Sequence, residues 1–146
     1  MKTEQVTTSV QLAHLAMLEK ACFDSEAWSI EELAAFLDAS IRRAMLLIDD
    51  DRPIGYVIIT IFDGEAEIER IGILPAYQSK HIGRAFISAF LEMLSVQRCV
   101  LEVSANNIAA CRAYQACGFC VFSTRQAYYK DGADALMMEW KRTDHE

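Results

Sequence analysis

Residues 71–85, I-G-I-L-P-A-Y-Q-S-K-H-I-G-R-A, constrain the fold of this chain more than any other stretch. A β-branched run stops at Pro75, a polar stretch follows, and helical spacing begins at Ile82. A strand that turns this directly into a helix is a βα unit, a building block of mixed α/β layers. The junction also makes an anion site. The first backbone N–H groups of a helix have no internal partner and the macrodipole is positive there, so a phosphate placed at that point finds donors ready. Gly83 lets a ligand approach the backbone closely, and Lys80 and Arg84 add positive charge.

Length and composition set the remaining bounds. At 146 residues and 53% hydrophobic composition the chain can bury one real core, and no low-complexity run divides it, so a single domain over 1–146 is expected. The N-terminal residues are polar and no apolar run approaches the roughly 18 to 20 residues of a membrane span, which reads as a cytoplasmic protein without membrane partners. A formal charge of −7 argues against nucleic acid as the main partner, because phosphate backbones are bound through excess Lys and Arg. An amine or a basic peptide suits this charge better.

Five cysteines at irregular spacing, in a chain that needs no staples, are expected to be reduced thiols. Cys117-Gly118-Phe119-Cys120 matches C-x-x-C, yet the pair follows a helix and so lies at its negative end, where the thiolate is disfavoured. A zinc site would need two further ligands at matching spacing, and the three histidines are scattered. No metal is expected.

Along the chain, Thr8-Ser9-Val10-Gln11 and Ser29-Ile30-Glu31-Glu32 are capping-box patterns, opening helices to about Cys22 and about Asp38. Extended segments at 44–49, 54–62 and 65–74, separated by turns at 50–53 and 63–64, form an antiparallel meander. Helical spacing runs from Ile82 to about Ser95, a strand covers 99–103, and a helix at 108–117 is closed by Gly118. The last elements read as a hairpin, 120–128 and 133–140, turning at Lys130-Asp131-Gly132. With a short first strand near Gln5, the order is a mixed α/β layer fold with two adjacent βα units.

The segment Gln78-Ser79-Lys80-His81-Ile82-Gly83 resembles the Arg/Gln-x-x-Gly-x-Gly/Ala loop with which GNAT N-acetyltransferases cradle the pyrophosphate of coenzyme A, with His81 at the first glycine. The run Leu101-Glu102-Val103, then Asn107, Ala110, Tyr114 and Gly118-Phe119, resembles the L-E-V-x-x-x-N-x-x-A-x-x-x-Y-x-x-x-G-F pattern of the bacterial ribosomal-protein-alanine N-acetyltransferases. Ala127-Tyr128-Tyr129 and the aromatic link 23–28 add to that likeness. The resemblance implies a GNAT fold, a central mostly antiparallel sheet with a splayed parallel strand pair and flanking helices. It implies acetyl-CoA as cofactor. The backbone of Ile71 and Ile73 would meet the acetyl and pantetheine arm, while Gln78, Ser79, Lys80, His81, Ile82, Gly83 and Arg84 would surround the pyrophosphate. Asn107 would cap its helix and contact the arm, and Tyr114 would stand against the sulfur.

Acetyl transfer to an amine needs a base to take a proton from the ammonium and a donor for the leaving thiolate. Glu102 is the first candidate base and Tyr114 the candidate acid; backbone N–H groups near 71–73 could stabilise the oxyanion. Glu67 and Glu69 compete for the role of base, since alternation puts them on one face with Ile71, though a salt bridge to Arg70 would account for either. The acceptor expected from the resemblance is the α-amine of a protein N-terminus, gripped by variable loops at 23–28 and 128–134. A small amine such as a polyamine or antibiotic is the alternative acceptor. A degenerate acyl-CoA-binding module is the alternative without turnover, favoured by His81. Monomer and homodimer both stay open.

Overall fold

A computed structural model of the chain describes residues 1–143, apart from the side chains of residues 79 and 80. The roles expected of the Ser79 and Lys80 side chains therefore lie outside the described residues. The chain divides into two compact units, Met1–Ile61 with Glu69–Ile82, and Phe62–Ile68 with the chain from Gly83 onward.

In the first unit, β1 (Lys2–Gln5) pairs antiparallel with β2 (Arg42–Asp49), which pairs antiparallel with β3 (Arg52–Phe62). Helix α1 (Ser9–Phe23) starts where the sequence places it. The Thr8 hydroxyl accepts from the Gln11 N–H at 3.1 Å and the Gln11 side chain accepts from the Thr8 N–H at 3.1 Å. Ser29 and Glu32 repeat the arrangement at α2 (Ile30–Leu37). Leu15, Leu18, Leu33, Leu46, Tyr56 and Ile58 form the core of this unit, with Trp28 and Phe36 packed against it.

Strand β4 (Glu65–Ile73) begins in the second unit and ends in the first. Its parallel register with β5 (Arg98–Ser104) pairs Glu65 with Arg98, Ala66 with Cys99 and Glu67 with Val100. The second unit adds α3 (Ile82–Met93), α4 (Ile108–Ala116), β6 (Cys120–Arg125) and β7 (Ala135–Lys141). Cys99, Leu101 and Val103 of β5 are buried while Glu102 is exposed, the period of two of a half-covered strand. Gly118, with φ of +99°, ends α4 where the Phe119 N–H returns to the Tyr114 carbonyl at 3.0 Å. Arg142 donates to the carbonyls of Leu91 and Leu94 and so satisfies the C-terminus of α3.

The sheet has seven strands in the order β1-β2-β3-β4-β5-β7-β6, antiparallel in its recorded registers except at β4 and β5. This is the mixed α/β fold expected of the sequence. Two details differ. Residues 75–80, read as a polar loop, form a 3-10 helix started by Pro75. Strand β6 ends at Arg125, three residues earlier than its alternation suggests, because Ala127 takes a left-handed φ of 49° that no strand can continue. Among the described residues no helix is long and apolar enough to cross a membrane, and no cluster of His, Cys, Asp and Glu could hold a metal.

Candidate active site

In the first unit, the polar centre is one the sequence reading overlooked. Glu19 is fully buried on α1. Its carboxylate accepts from the Tyr56 hydroxyl, from the Trp28 N–H at 2.7 Å and from Arg70 Nη2 at 2.7 Å. Arg70 also donates to the Glu26 carbonyl at 2.8 Å and lies over the rings of Phe23 and Trp28. Burial, then the carboxylate beside it, pushes the Tyr56 phenol far above its ordinary range, so it remains a donor. Arg70 therefore pairs with Glu19, where sequence alone suggested a strand glutamate. The reason is pleat: Arg70 shares the face of Ala66 and Ile68, and Glu67 and Glu69 point the other way. Glu69 instead accepts from the Thr60 hydroxyl at 2.8 Å, and Glu67 is exposed. A signal existed in the sequence, for Glu19 falls on the stripe of Leu12, Leu15 and Cys22.

At the end of β4, the Gln78 amide donates to the Ile73 carbonyl at 2.9 Å. Gln78 thus braces the strand end. His81 closes the 3-10 helix in the left-handed region, at φ 58° and ψ 16°. That is the conformation a glycine would supply, adopted here by a residue for which it costs about 1 to 2 kcal/mol.

In the second unit, α3 continues from Ile82, which is buried in the first unit's last position, into Gly83 and exposed Arg84. A Cβ built on Gly83 would meet no atom within 4 Å, so the space over this first helical turn is open to a ligand. The Asn107 side chain accepts from the Ala110 N–H at 3.2 Å and caps α4. Tyr114 is 8% exposed, with its ring 5.8 Å from that of Phe119. Burial raises its phenol to about 12, so it holds its proton throughout the neutral range. Cys117 falls at the C-terminus of α4, where burial raises its thiol too, against a thiolate role for this cysteine.

Glu102 stands exposed on β5, opposite Met137 of β7. The Tyr129 hydroxyl donates to it at 3.1 Å. The register puts Glu65, Glu67, Glu102 and Glu139 on one face of this sheet region, with Arg98 and Lys141 among them. Arg98 bridges Glu65 at 3.1 Å and Glu139 at 2.8 Å.

A family model described as acetyltransferase (GNAT) family matches residues 12–119. The chain belongs to the GNAT family. Its relatives include the N-alpha-acetyltransferase RimI of Mycobacterium tuberculosis, 39% identical over 75 residues, and this match spans 51% of the chain but only 48% of that protein, about half its length. A candidate ribosomal protein bS18-alanine N-acetyltransferase of Bacillus subtilis is 29% identical over 146 residues, 94% of this chain and 96% of that one. In fold, the chain is similar to the crystal structure of the Escherichia coli ribosomal-protein-S18-alanine N-acetyltransferase, with a TM-score of 0.81 over 99% of this chain and 97% of that one at 24% identity. The open space over Gly83, in the first turn of α3, fits an anionic group such as a phosphate of coenzyme A.

Proposed function

We propose that the protein acts as a single GNAT domain that transfers an acetyl group to the N-terminal α-amine of a protein, a ribosomal-protein alanine being the leading acceptor. The observation that carries this reading is the near-full-length likeness to the Bacillus subtilis protein, which runs through the cofactor segment and the C-terminal hairpin alike. Acetyl-CoA, when bound, supplies an activated thioester. Within the first unit, the backbone of Ile71 and Ile73 would hold its acyl and pantetheine arm, and Gln78, Ser79, Lys80, His81 and Ile82 would lie along its pyrophosphate. Within the second, Gly83 and Arg84 would continue that cradle and Asn107 would meet the arm.

Glu102 takes the proton that the ammonium must lose before nitrogen can attack, a role for which an exposed carboxylate with spare lone pairs is suited. Tyr114 holds the proton that the thiolate of coenzyme A would need on leaving. Backbone N–H groups near Ile71 would take up the charge that develops on the carbonyl oxygen. Intact-mass analysis with acetyl-CoA and a panel of N-terminal peptides, lysine peptides and polyamines tests the reading. Mono-acetylation of α-amines is expected, with lysine side chains reacting poorly.

One observation favours a second acceptor. Glu67 and Glu102 on one sheet face, beside Glu65 and Glu139 that Arg98 already bridges, within a chain of net charge −7, suit a polyamine. Modification of polyamines without α-amine product would support that reading, and acetyl-CoA binding without any product would support a non-catalytic module.

A further inference from the structure

The hairpin turn beside Glu102 is held more firmly than a surface loop needs to be. Asp134 accepts from the Ala127 N–H at 2.9 Å through Oδ1, and its own carbonyl accepts from the Ala105 N–H at 2.9 Å. Asp131 accepts from the Ala133 N–H, and Tyr129 is bonded through both its N–H, to Ala133, and its carbonyl, from Gly132. Ala127 keeps a left-handed φ of 49° within this turn, a strain that persists only where surrounding bonds over-determine the backbone. The product of all this is the placement of one phenol. The Tyr129 hydroxyl donates to Glu102 at 3.1 Å, whereas its neighbour Tyr128 is half exposed under Arg125.

We infer that Tyr129 is a positioning residue for Glu102: its hydroxyl, held in place by the turn, fixes the orientation of the carboxylate. The inference rests on Glu102 being the base. A hydrogen bond donated to one carboxylate oxygen restrains the rotation of the group and leaves the other oxygen free to accept from an incoming amine. Burial, with Glu102 alongside, pushes the Tyr129 phenol up to about 12, so the donor stays protonated across the working range.

The test is a double-mutant cycle read by steady-state kinetics. Tyr129→Phe is expected to lower turnover at saturating acceptor about 3- to 10-fold with the KM for acetyl-CoA unchanged, and to have no further effect on the residual turnover of Glu102→Gln, because the phenol acts only through that carboxylate. Asp134→Ala, which loosens the turn and keeps the phenol, should show a smaller loss with the same dependence on Glu102, and this arm stands if Tyr129→Phe does not fold. Full turnover in Tyr129→Phe, or an equal fold-loss with and without Glu102, overturns the inference. Undiminished turnover in Glu102→Gln overturns the assignment of the base, and the inference with it.

Discussion

Glu19 in the first unit and Glu102 in the second each accept a hydrogen bond from a tyrosine hydroxyl, Tyr56 in one case and Tyr129 in the other. Glu19 has no solvent exposure and also receives a backbone N–H and a guanidinium. Glu102 is exposed, and Tyr129 is its one recorded donor among the described residues. A carboxylate with its lone pairs filled and its charge paired ties elements together and cannot take a proton without breaking that network. A carboxylate with spare lone pairs in reach of water can. The same side-chain pair thus makes a structural clamp in one unit and a candidate base in the other.

The contrast can be broken most sharply at Glu102. Glu102→Gln should lower turnover by about 10²- to 10⁴-fold while leaving stability within roughly 0.5 kcal/mol, as read by steady-state kinetics and urea unfolding. Near-normal turnover would move the role to Glu67, with Glu67→Gln as the next variant. Glu19→Gln should do the reverse of this. Placing an amide against the Arg70 guanidinium and the Trp28 N–H strands a partly buried charge and should cost about 3 kcal/mol in urea unfolding. A loss under 1 kcal/mol would mean that the cluster relaxes freely.

Tyr114→Phe should reduce turnover roughly 10- to 100-fold with acetyl-CoA affinity nearly unchanged by calorimetry. An acid works while protonated and fails as pH rises through its pKa. With the Tyr114 phenol raised to about 12 by burial, wild-type turnover should show no falling limb from this group below about pH 11. A falling limb near pH 9 that vanishes in Tyr114→Phe would contradict the strength of that burial.

The smallest effect is expected at His81. His81→Gly relieves a left-handed side chain and should raise stability by about 1 kcal/mol in urea unfolding. Calorimetric titration with acetyl-CoA should show His81→Gly binding at least as tightly as the wild type, since losing the Cβ clears the approach to the backbone. Weaker binding by the glycine variant would mean that the imidazole itself holds the phosphates.

Much of the fold was legible because its signals are local. Thr8 with Gln11 and Ser29 with Glu32 act within four residues of each other, and both helices begin where those pairs place them. The glycine pattern at 78–83 carried the left-handed turn at His81 in the same way. Other features needed the chain to be folded. Glu19 lies on an apolar helical stripe and Arg70 on the buried parity of a strand, so each alone looks like an error of patterning. They are 51 residues apart, and only the packed first unit turns the two into one ion pair. Tyr129 was legible as part of a resemblance, while its bond to Glu102 was not, because the shortening of β6 depends on bonds from Asp134 across the turn.

The sequence by itself determined the order of the main helices and strands and the helix caps, since these are encoded in short-range spacing and backbone preference, while the two residues proposed for proton transfer came from the resemblance to the family pattern. Tertiary structure alone decided which carboxylate is sealed and which is left open. That outcome depends on desolvation and on donors brought from distant parts of the chain, and neither is a property of any one segment.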